Sequence, residues 1–131
     1  MARANFKEIV MDYQKAPDLD ERVFDIVRKL NMEHVKLPRV VCIRSTGSKS
    51  RRTLARCHVL PKIIQEALGI KAYYIIEALS ENFDSLSRED QNRVLIHELM
   101  HIPKTFGGGF KFHNVVNRRE VEKMYKMFKN S

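Results

Sequence analysis

The sequence predicts an α+β domain, with helices packed on a short sheet of mixed or antiparallel strands. Three observations predict it. Several capped segments repeat apolar residues at helical spacing. Three short runs are β-branched, alternating or almost wholly apolar, and read as strands. The order is a helix, two or three strands with a short helix between them, then two longer helices, which is an α+β arrangement. The length of 131 residues fits one domain spanning residues 1–131.

Each element follows from its residues. The first 15 residues read as a short helix through Phe6, Ile9 and Val10. Asp18 reads as the N-cap of the next helix, with Glu21 three residues on. Val23, Ile26, Val27 and Leu30 give that helix one buried face, and it ends near residues 31–34. "RVVCI" (39–43) is β-branched and reads as a strand, "RSTGSKSRRT" (44–53) as a polar basic loop, and "LARCHVL" (54–60) as a returning strand. A hairpin centred between Lys49 and Ser50 sets Cys42 opposite Cys57. Pro61 opens a short helix, "KIIQEAL", closed by Gly69. "AYYIIEAL" (72–79) is apolar almost throughout and is placed within the sheet or under a packed helix. Ser87 caps a helix with Asp90 in its first turn, and Pro103 stops it. The last helix covers Asn117 to Lys129, with Val121, Met124, Tyr125 and Phe128 on its core face.

Composition narrows the function classes. A hydrophobic fraction of 44% allows a sizeable core, and a charged fraction of 31% is ordinary for a soluble chain. The net charge of +8 attracts nucleic acid, acidic proteins or anionic lipid without sequence preference. No window reaches the length of a membrane span and the N-terminus lacks a signal-peptide core, so the expected location is the cytoplasm, with no membrane partner. Cys42 and Cys57 are too few for a disulfide scaffold and form no C-x-x-C pair; they read as two buried thiols.

The chemistry concentrates in "HELMH", residues 97–101. Four residues make about one helical turn, so His97 and His101 project from one face and can reach one zinc ion. Glu98 lies about 100° round the helix. Its carboxylate therefore stands beside the metal rather than on it, where a general base that deprotonates water is needed. With 5 His in the chain, a shuffle of this composition yields H-E-x-x-H in roughly 1.4% of cases.

A catalytic zinc needs a third protein ligand and an open position. His113 and Glu120 compete for that place. His113 follows His101 after eleven residues that include Pro103 and the run Gly107, Gly108, Gly109. Glu120 follows after eighteen, on the last helix. The metzincin spacing is absent, since Ile102, Pro103 and Lys104 follow His101. The glycine loop has a purpose if it returns a ligand, which favours His113. Glu122 shares the ambiguity of Glu120. His34 reads as solvent-facing, and His58 as a strand histidine with a lesser claim to line the cleft as a transition-state donor.

"HELMHIPKTFGGGFKFH" resembles the motif region of a small family of predicted metallopeptidases of archaea and some phages, within the zincin superfamily. The matching residues are His97 to Pro103, Gly108-Gly109 and His113. "RSTGSKS" with Ala55-Arg56, and "YYIIEALSENFDSLS", resemble the family's other marked segments. Phe112 stands where many members have a proline. The resemblance covers roughly residues 13–128, and extends more distantly to SprT-like proteases, some of which act on DNA-bound proteins. It implies a zincin-like fold, zinc on His97, His101 and His113, and Glu98 as general base. It also implies that the 72–79 or the 54–60 strand binds the main chain of a substrate.

The expected activity is that of a zinc-dependent metallopeptidase acting on a peptide or protein. Two other readings stand beside it. One is a nucleic-acid-associated module with a structural or vestigial metal; the other is a metallohydrolase of non-peptide substrates. The basic loop carries Arg44, Lys49, Arg51, Arg52 and Arg56. It lacks phosphate-loop spacing, which excludes a nucleotide site of that kind. It reads first as a solvated basic turn, and second as a grip for an acidic or nucleic-acid-bound substrate.

Overall fold

The structure, a computed structural model, describes residues 10–131. In chain order these form β1 (Asp12–Lys15), α1 (Pro17–Lys29), a 3-10 turn (Leu37–Arg39), β2 (Val40–Thr46), β3 (Ala55–Val59), α2 (Lys62–Leu68), β4 (Tyr74–Leu79), α3 (Ser80–Phe83), α4 (Arg88–Met100) and α5 (Arg118–Lys129). The α+β class expected from the sequence holds: helices pack on a four-stranded mixed sheet.

The N-terminal helix expected from the sequence falls partly on residues 1–9, outside the described residues. Beyond them the chain forms β1, which pairs antiparallel with β2 from Asp12 opposite Thr46 to Lys15 opposite Ile43. All four β1 residues are exposed. No apolar alternation marks such a strand; its partner's backbone supplies the reason it forms.

The sheet order is β1-β2-β4-β3. The expected β2–β3 hairpin is therefore wrong: β4 lies between them, parallel to β2 and antiparallel to β3. Cys42 and Cys57 both register on Ile76, from opposite sides. Two strand spacings of about 4.8 Å separate them, too far for a disulfide. The cause is burial. β4 is the most apolar strand and takes a central place, while the half-exposed β3 takes the edge. The basic loop then has to cross the end of β4. Asn82 of α3 donates to the carbonyls of Ser50 (3.0 Å) and Thr53 (2.7 Å), and Gly47 N–H donates to Glu81 (2.8 Å). Arg44 is drawn away to Asp18 and Asp84, and Arg56 lies 3.6 Å from Glu77. Of the loop's five cations, Lys49, Arg51 and Arg52 stay exposed.

α1 starts one residue before the expected cap. Pro17 occupies the first turn, where its missing N–H costs nothing, and Ala16 is the N-cap without a side-chain bond. Asp18, expected to cap the helix, and its neighbour Asp20 tie it to the sheet instead. Asp18 pairs with Arg44 at 2.7 Å, and the Asp20 carboxylate accepts from Cys42 N–H at 2.8 Å. Leu19, Val23 and Ile26 of α1 and Leu95, Ile96 and Leu99 of α4 are buried with Cys42, Tyr74, Ile76 and Ala78 of the sheet. Burying each such side chain is worth about 1.5–3 kcal/mol, so α4 is held rigidly on this face. No helix among the described residues is long and apolar enough to cross a membrane.

The opposite face of the sheet carries a buried acid. Glu77 is 3% exposed on the central strand. Ser45 Oγ donates to it at 2.6 Å, and His58 Nε2 lies 2.7 Å from its other oxygen. Burial alone raises its pKa. The Ser45 and His58 hydrogen bonds and the Arg56 charge outweigh burial and hold the carboxyl below the ordinary glutamate value. A depressed folded pKa means stability that is present above the unfolded pKa and lost as pH falls through the folded one. Glu77→Gln is expected to cost about 1–3 kcal/mol at pH 7. In urea denaturation the gap to wild type narrows as the pH drops below about 4. An equal gap at both pH values would show that the charge of Glu77 does not stabilise the fold.

Candidate metal centre

α4 is set by its ends. The Ser87 hydroxyl accepts from Asp90 N–H at 3.1 Å, as the sequence predicts. The helix ends at Met100, with His101 as its C-cap still in helical conformation (φ −69°, ψ −17°). His101 therefore keeps the direction of the last turn, and its ring lies 4.9 Å from that of His97.

The chain then folds back. Gly108 has φ +112°, a backbone that favours glycine, and a Cβ there would lie 2.7 Å from Gln65 Nε2. Gln65 is buried and itself donates to the Leu60 carbonyl at 2.9 Å. Tyr74 reaches out of the central strand to the same loop. Its hydroxyl donates to the Gly109 carbonyl at 2.7 Å and accepts from Gly108 N–H at 3.2 Å. Two more bonds close the loop on the helix end. Lys111 N–H donates to the His101 carbonyl at 2.8 Å, and His101 Nδ1–H donates to the Lys111 carbonyl. Phe110 stacks on the His101 ring at 4.5 Å.

This return brings His113 to the helix. The ligand atoms of His97, His101 and His113 all lie within 4.8 Å of one another. Two nitrogens bound at about 2.0–2.1 Å to one tetrahedral ion stand roughly 3.3 Å apart. The Nε2 atoms of His97 and His113 are 3.3 Å apart. Because His101 Nδ1 carries the proton given to Lys111, its Nε2 is left with a lone pair. Desolvation, then the neighbouring His101 and His113, press the His97 pKa down to about 4. Desolvation also lowers that of His101, against the Lys111 hydrogen bond. Two of the three imidazoles are thus driven neutral, the state in which they bind a metal. The residues present fit a three-histidine metal site with room for a further ligand.

The other candidates lie elsewhere. Glu120 is not among the clustered ligand atoms; it sits in the first turn of α5, where its N–H donates to Asn117 at 3.1 Å. Glu122 accepts from Arg93 at 2.9 Å. His58 is turned to the opposite face of the sheet by Glu77, so it does not line the cleft. His34, expected in solvent, is half-buried beside the backbone of Ile102.

Glu98 is buried (6% exposed) and faces a cleft of about 630 Å³ that His97 also lines. Burial pushes its carboxyl up to about 8. The cleft runs between α4, α5 and the start of β3. Its wall includes Leu54, Ala55, Val94 and Val121. Sequence reasoning missed Tyr74 and Gln65 as supports of the loop. A buried tyrosine in an apolar run reads as core, and its partners lie 34 and 35 residues away.

Comparison with known proteins agrees with this geometry. The model of a family described as putative phage metallopeptidase matches residues 11–129. No curated protein and no solved structure matches the chain.

His113→Ala is expected to remove most bound metal, and Glu120→Ala to leave it in place, as measured by metal analysis after dialysis. The opposite result would move the third ligand to α5. Tyr74→Phe keeps the ring and loses the loop bonds. It is expected to weaken metal affinity about 10- to 100-fold in a competitive chelator titration. Unchanged affinity would show that the loop holds its position without the hydroxyl.

Proposed function

Because the chain belongs to the phage metallopeptidase family, we propose that it is a zinc-dependent peptidase with His97, His101 and His113 as ligands and Glu98 as general base. The observation that carries this reading is the convergence of three imidazoles, one of which, His97, lines a cleft together with the buried Glu98. Zinc on these nitrogens supplies the Lewis acidity that polarises a peptide carbonyl and acidifies water.

The chain's own groups do the rest. A cation held by the histidines would offset the burial that raises the Glu98 pKa and favour its charged form, and as carboxylate it takes a proton from the attacking water and passes it to the leaving amine. The apolar wall and the packed α4 keep the carboxylate dry and fixed, so little reorganisation is needed at each transfer. The substrate's main chain has one strand to lie against in this region. β4 has both edges filled by β2 and β3, whereas β3 pairs with β4 alone among the described residues. Leu54 and Ala55, at the start of β3, line the cleft. An extended peptide adding to that edge meets the metal ligands and Glu98 at its scissile bond.

The partner is a peptide or protein. A nucleic-acid association would rest on Lys49, Arg51 and Arg52, and would weaken steeply with salt. The expected result is one zinc per chain and cleavage of casein or a peptide library by the wild type. Glu98→Gln is expected to keep its zinc and lose about 10²- to 10⁴-fold in rate. Full zinc occupancy with no Glu98-dependent cleavage of any peptide would overturn the peptidase reading.

A further inference from the structure

The cleft beside Glu98 has a composition that selects. Its apolar wall is Leu54, Ala55, Leu86, Val94 and Val121. At about 630 Å³ it has room for more than one side chain. Its charges are three carboxylates and three guanidiniums, unevenly partnered. Arg93 lies between Asp90 and Glu122, 2.9 Å from each, with its guanidinium over Tyr125. Those two acids and that cation are therefore occupied with one another. Glu98 follows His97 on α4 and lines the cleft with it. Arg52 and Arg118 remain, both exposed and without an ion pair among the described residues. They come from different elements, one from the loop before β3 and one from the first residue of α5. The positive end of the α5 dipole adds to Arg118.

We propose that this cleft selects peptides with a large apolar side chain next to the scissile bond and an acidic residue beside it, held by Arg52 and Arg118. The proposal rests on the peptidase reading and adds the class of substrate to it. The apolar side chain gains by leaving water for the Leu54–Val121 wall. The neighbouring carboxylate meets two cations that have no internal partner.

The test uses the zinc-loaded Glu98→Gln variant and three labelled peptides, followed by fluorescence anisotropy. They carry Leu flanked by Asp, Leu flanked by Lys, and Ala flanked by Asp. The first is expected to bind about tenfold tighter than either of the others. Adding Arg52→Glu and Arg118→Glu, both at exposed positions, is expected to move the preference to the Lys peptide. Equal affinity for all three, no binding, or a preference untouched by the two charge reversals would overturn the proposal. Wild-type cleavage of the same peptides separates the two readings. Cleavage without preference sinks the substrate class and leaves the peptidase. Selective binding without any cleavage sinks the peptidase and leaves the cleft's selectivity.

Discussion

Tyr74 is fully buried at its ring and engaged at its hydroxyl, and this double duty is the constraint on which the metal centre depends. The ring belongs to the core between the sheet and α4. The hydroxyl holds two consecutive peptide groups of the glycine loop. A loop of three successive glycines is entropically costly to order, and an unpinned one would sample many positions. Tyr74, Gln65 and the two Lys111 bonds reduce those positions to one that sets His113 against His97. His113 is thus positioned from the central strand, through a side chain that is not one of the three clustered imidazoles.

The same logic explains which parts were legible in the sequence. His97, Glu98 and His101 are related by helical geometry alone, so their spacing and the Ser87 cap were enough to place the two histidines on one face and Glu98 about 100° round from them. The glycines before His113 signalled a turn, and the turn is there. Sheet order was not legible. The short polar loop after β2 suggested a hairpin, but the demand of β4 for burial on both sides outweighs the convenience of a local pairing. Strand β1 was hidden for a different reason. Its residues are exposed and polar, and only the backbone of β2 makes it a strand. The role of Tyr74 was not legible because its partners Gly108 and Gly109 lie 34 and 35 residues away in sequence.

Charge is spent on the fold before it reaches any partner. Arg44 joins α1 to the loop after α3, Arg56 sits over Glu77, and Arg93 ties α4 to α5. The Arg44 and Arg93 pairs connect different elements, and the Arg56 pair joins register partners on β3 and β4. Each of these arginines takes at least one acid with it, so the net charge of +8 is carried by cations outside these pairs. What is left near the cleft is a small number of arginines with defined positions, which is a basis for discrimination more than for general adhesion.

The open edge of β3 has a further consequence. Among the described residues its outer N–H and C=O groups have no strand partner, and such a row accepts an extended chain without distinguishing one sequence from another. The five-residue length of β3 and the side chains of Arg56 and His58 on its outer face limit that promiscuity. What limits access to this edge is therefore its short length and two polar side chains rather than any covering element among the described residues.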